Sequence, residues 1–76
     1  MGHEVWSNKL DGIYDIKVEG DSDNPYNGQL TIRKEGKLIH EEPVGIAYGA
    51  PFGPDAMDVA EWEEKCIKVI DNLPKE

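Results

Sequence analysis

The stretch Asp55-Ala56-Met57-Asp58-Val59-Ala60-Glu61-Trp62-Glu63-Glu64-Lys65-Cys66-Ile67-Lys68-Val69-Ile70-Asp71-Asn72-Leu73 decides the fold. Val59, Trp62, Cys66, Val69, Ile70 and Leu73 recur at intervals of three, four, three, one and three residues, which lines them along one side of an α-helix. Pro54 suits a first-turn position because it has no N–H to lose there, and either Gly53 or Asp55 can serve as the cap. Asp55 and Asp58 stand near the positive end of the helix dipole, and Asn72 followed by Pro74 stops the helix. Glu61 with Lys65 and Glu64 with Lys68 form i, i+4 pairs with the acid first, on the outer side. A C-terminal amphipathic helix is therefore expected, and it needs an apolar surface to cover.

That surface comes from upstream. Between Gly12 and Glu19, Tyr14, Ile16 and Val18 alternate with Asp15, Lys17 and Glu19, the period of a strand with one wet face. The segment from Gly20 to Gly28 collects Asp, Ser, Asn, Pro and Gly without apolar periodicity and reads as an irregular loop. Alternation resumes from Gln29 to Lys34 through Leu30 and Ile32, and Glu35-Gly36 supplies a tight hairpin turn into Lys37 to Glu42. Two registers fit that turn. A two-residue loop faces Ile39 inward with Ile32, whereas a three-residue loop with Gly36 as a bulge faces Leu38 and His40 inward. Pro43 has no N–H for a central ladder and marks an edge or a bulge, after which Val44, Ile46 and Tyr48 extend a long, bent third strand. Gly49-Ala50-Pro51-Phe52-Gly53-Pro54 is a shaped connector.

Strands followed by one helix make an α+β fold: a two-layer β-β-β-α domain with a three-stranded antiparallel sheet packed by the C-terminal helix. Residues 1–76 form a single small domain, in which residues 1–11, with Val5, Trp6 and Leu10, are either an extra edge segment or disordered. A chain of 76 residues buries one modest core, which excludes dinucleotide-binding cores, barrels and two-domain enzymes. Sixteen acidic residues against eight Lys and Arg leave a formal net charge of −8, so phosphate backbones and anionic membranes repel it and neither is an expected partner. The single cysteine, Cys66, builds no disulfide framework, and a free thiol fits a reducing, cytoplasmic setting. Met1-Gly2-His3-Glu4 opens no export signal, and no apolar run approaches the roughly 20 residues that span a bilayer.

Gly45, Gly49 and Gly53 lie where a phosphate-cradling loop would, but their spacing fits neither nucleotide-binding fingerprint, and Asp55 and Asp58 would repel phosphate. Asp21-Ser22-Asp23-Asn24 opens like a calcium loop, yet Pro25, Tyr26 and Ile32 occupy positions that need a ligand, a glycine and a glutamate. His40-Glu41-Glu42 pairs an imidazole with carboxylates, although adjacent strand residues point to opposite faces and only His3 offers a second imidazole. Cys66 lies in the helix stripe beside Trp62 and Ile70, where a thiol is a small apolar group rather than a nucleophile. No catalytic, cofactor-binding or metal-ligating residue is assigned, and an enzyme is not expected.

Two surface features remain. Tyr48 and Phe52 lie beside or within the connector, where large apolar side chains signal a partner surface. Asp55, Asp58, Glu61, Glu63 and Glu64 crowd the first half of the helix, a rod of carboxylates able to imitate a DNA phosphate track before a basic groove. The segment from Tyr48 through Phe52-Gly53-Pro54-Asp55 into Val59 and Trp62 resembles the β-β-β-α half of dsRNA-binding-domain-like and HicB-like antitoxin folds, over roughly Gly12 to Leu73. The resemblance implies architecture only, because Asp55 and Asp58 stand where that family has the basic helix start that grips phosphate. In size and acidity the chain is also similar to small phage and prophage accessory proteins, including anti-CRISPR and other host-inhibitor proteins. The expectation is a non-enzymatic interaction module that binds a protein, a basic nucleic-acid-binding one being the best fit to the acidic helix. The alternative is a structural or assembly subunit that associates with itself through the sheet edge or the Tyr48 and Phe52 surface.

Overall fold

The computed structural model describes residues 3–24, 26–47 and 54–73. Four strands and a helix follow one another: β1 (His3–Leu10), β2 (Tyr14–Gly20), β3 (Asn27–Lys34), β4 (Lys37–Gly45) and α1 (Ala56–Asp71). The strands form one antiparallel meander in the order β1-β2-β3-β4, and α1 packs on one of its faces. The two-layer α+β architecture is as expected, but the sheet has four strands rather than three.

The added strand is the edge segment that residues 1–11 left open, and its weak sequence signal has a physical cause. Pairing between β1 and β2 slips between Glu4 and Trp6, so Val5 is an extra residue that breaks the alternation. Asn8 then stands opposite Ile16, a polar residue where an apolar one would have shown the period. The turn into β2 is better marked. Asp11 and Gly12 take φ values of 54° and 72°, and the Ile13 N–H donates to the Leu10 carbonyl at 3.2 Å, a mirror-image turn whose twist suits a hairpin.

In the centre of the sheet the alternation is realised directly. Ile16 faces Ile32 and Val18 faces Leu30, and all four are buried under α1 with Ile46, Trp62 and Cys66. β1 joins this core through Trp6, whose ring centroid lies 5.8 Å from that of Trp62 at a tilt of 47°. Across the face opposite α1 runs a polar row, Ser7, Lys17, Thr31 and Glu41, one residue from each strand.

The β3–β4 hairpin combines features of both anticipated registers. Glu35 and Gly36 have φ values of 54° and 82°, so the turn has two residues. Lys34 then pairs with Lys37 and Arg33 with Leu38, but Ile32 pairs with His40, which leaves Ile39 as the extra residue of a bulge inside the strand. Ile39 packs against the core and His40 shares the helix side of the sheet with Ile32, while Leu38 stays exposed. Pro43 sits on β4, an edge strand, as its missing N–H requires. Beyond β4 the Ile46 N–H donates to the Tyr26 carbonyl at 2.8 Å, closing this end of the sheet. Tyr48, to which the alternation was expected to run, lies outside the described residues.

Candidate functional site

The acidic surface is built on the first turns of α1. Asp55 is the cap: its backbone is extended, its Oδ1 accepts the Ala56 N–H at 2.6 Å and its carbonyl accepts the Val59 N–H at 3.1 Å. Asn72 ends the helix, with its Nδ2 donating to the Lys68 carbonyl at 2.8 Å. Between these caps the helix turns by about 100° per residue, so positions four apart drift slowly around its side. Asp58, Trp62 and Cys66 form one such row, and all three are buried.

Asp58 is therefore not part of the outward array that the sequence placed it in. It is 3% exposed, on the core side of the helix, and its four-residue spacing to Trp62 was the sign of this. The remaining acids divide by exposure. Asp55, Glu61 and Glu64 are exposed and Glu63 is half-buried. Glu64 Oε1 lies 3.3 Å from Lys68 Nζ, an exposed i, i+4 pair of the kind worth roughly a few tenths of a kcal/mol. Tyr48 and Phe52, the aromatic part of the expected surface, lie outside the described residues.

The carboxylates elsewhere do not join this array. Glu41 points away from α1, opposite Thr31, and Glu42 to the helix side opposite Leu30. Glu42 Oε1 is 3.4 Å from His40 Nε2, so the imidazole meets the second of its neighbouring acids, as strand alternation dictates. In the β2–β3 loop, Asp21 Oδ1 accepts the Asp23 N–H at 2.8 Å and Asn24 Oδ1 accepts the Tyr26 N–H at 3.0 Å, so these oxygens shape the turn. Among the described residues no three His, Cys, Asp or Glu side chains gather as a metal site would need.

Cys66 is fully buried, and burial pushes its thiol up to about 11, with the nearby Glu42 and Glu63 carboxylates adding to the effect. A thiol held protonated under a helix is a packing group, the opposite of an activated nucleophile. Beside it Trp62 is also fully buried, and its Nε1 has no hydrogen-bond partner among the described residues.

One surface was missed by the stripe reading. On the flank of α1, Ala56, Val59, Ala60 and Ile67 line an open, largely apolar strip together with Glu63, Glu64 and Lys68. Ile67 is 47% exposed. The signal was present as Ala56, Ala60 and Ile67 at intervals of four and seven, but small alanines carry little weight in a hydrophobic stripe. No helix among the described residues is long and apolar enough to cross a membrane. The chain matches no protein-family model, no curated protein sequence and no solved structure.

Proposed function

We propose that the chain is a non-enzymatic interaction module whose acidic helix engages a protein with a basic, nucleic-acid-binding surface, in the manner of phage-type inhibitors of host proteins. The observation that carries this reading is the exposure of Asp55 at the helix cap and of Glu61 and Glu64 on α1, with Glu63 half-exposed. A helix packed on a sheet holds these carboxylates at fixed spacing, which a solvated loop would not do. Fixed negative charge steers a basic groove toward contact, the work that phosphates do on DNA. The formal net charge of −8 extends the attraction beyond contact range.

The second reading, an assembly subunit pairing through its sheet edges, is less well supported. β4 carries Pro43 and a bulge at Ile39, and β1 carries a bulge at Val5, the devices that blunt an edge against another strand.

Capture of a partner on the immobilised chain, followed by elution with increasing salt, tests the reading. A partner that elutes at moderate salt and is lost by the Glu61→Lys, Glu64→Lys double variant supports it. Retention unchanged at high salt, or by the charge-reversed variant, contradicts it.

A further inference from the structure

We infer that the partner docks helix against helix, through a basic amphipathic helix laid along the apolar flank of α1. This inference rests on the acidic-module reading above and adds the shape of what is recognised. The strip runs from Ala56 through Ala60 to Ile67, about three helical turns, and every residue lining it comes from α1. Alanines at Ala56 and Ala60 let a second helix approach closely, and Ile67, 47% exposed, offers it a knob. An exposed isoleucine and two alanines along an already packed helix leave apolar surface that no other element among the described residues lines.

Charge selects the occupant. Glu63 and Glu64 line the strip and Asp55 heads it, and the one lysine of the lining, Lys68, pairs with Glu64 at 3.3 Å, which leaves the strip net negative. The strip thus combines apolar surface with carboxylates set in the turn between Ala60 and Ile67. A second copy would bring the same carboxylates and another formal charge of −8 against it, which disfavours self-pairing. A helix with leucines on one side and flanking lysines or arginines satisfies both features, the apolar anchors seated on the strip and the cations meeting Glu63 and Glu64.

The test uses the full chain and two synthetic probes of equal charge, an amphipathic leucine-lysine helix and an oligolysine without an apolar side. Amide shifts mapped by NMR are expected to move at Ala60, Glu63 and Ile67 with the amphipathic probe, which should bind more tightly than oligolysine. The Ile67→Gln variant, which leaves every charge in place, should weaken that probe roughly tenfold and leave oligolysine binding unchanged. Equal affinity for both probes, with shifts spread over Asp21, Asp23 and Glu41, would overturn the helix-docking inference and leave the acidic reading standing. Binding of neither probe at low salt would overturn both. Sedimentation showing a dimer abolished by Ile67→Gln would assign the strip to a second copy and overturn the inference.

Discussion

Raising the pH should destabilise this protein through one buried thiol, and the size of the effect follows from where Cys66 sits. Burial lifts the thiol from its ordinary 9.0 to about 11, with Glu42 and then Glu63 adding repulsion. Below about pH 9 the thiol is protonated in both folded and unfolded chains and contributes no pH dependence. Above it the unfolded chain releases the proton while the folded chain keeps it, so the unfolded state binds fewer protons and stability falls as pH rises. The loss levels off above about pH 11, where both states are ionised. At about 1.4 kcal/mol per pH unit of displacement the total is roughly 2–3 kcal/mol. A small domain holds about 0.05–0.15 kcal/mol per residue, so this is a large share of what a 76-residue chain has. Urea unfolding followed by tryptophan fluorescence between pH 8 and pH 11, in the wild type and in Cys66→Ala, isolates the effect. The cavity left by Cys66→Ala costs the same at every pH, and the two chains differ in no other residue. The wild-type advantage should therefore shrink or invert as pH rises, and parallel curves would show that the thiol is not enclosed between helix and sheet.

Two further outcomes test the sheet. A double-mutant cycle with Trp6→Leu and Trp62→Leu should return a coupling of about 0.5–1.5 kcal/mol, the value for a tilted aromatic pair, and zero coupling would detach β1 from the core. Gly28→Ala should cost about 1–3 kcal/mol in denaturant unfolding, because its Cβ would stand 2.9 Å from the Glu19 carbonyl oxygen and 3.2 Å from Ile46 Cδ1. An unchanged midpoint would mean that β2 and β3 are not held this closely there.

The helix and the two central strands were legible because their burial is one-sided. Ile16, Val18, Leu30 and Ile32 alternate cleanly since helix covers one face and water the other, and Trp62 and Cys66 keep helical spacing for the same reason. The first strand was obscured by a bulge at Val5 and by Asn8 on the core side, although Asp11-Gly12 carried the turn signal that would have recovered it. The orientation of His40 depended on a bulge at Ile39, which no local pattern announces. At the candidate site the acidic crowding was visible in the sequence, but composition cannot say which way a carboxylate faces. Asp58 follows the row of Trp62 and turns inward, whereas Glu61 and Glu64 turn out. The apolar flank at Ala56, Ala60 and Ile67 went unnoticed because it is defined by what the sheet leaves uncovered, a tertiary property.

The most direct measurement is the salt dependence of partner affinity, taken by calorimetry on the captured partner with the wild type and with the Glu61→Lys, Glu64→Lys variant. An acidic helix that acts through fixed charge predicts that wild-type affinity falls steadily with salt, and that the variant binds about tenfold or more weakly at low salt with a flatter slope. Equal affinities for the two chains, with no response to salt, would contradict the account.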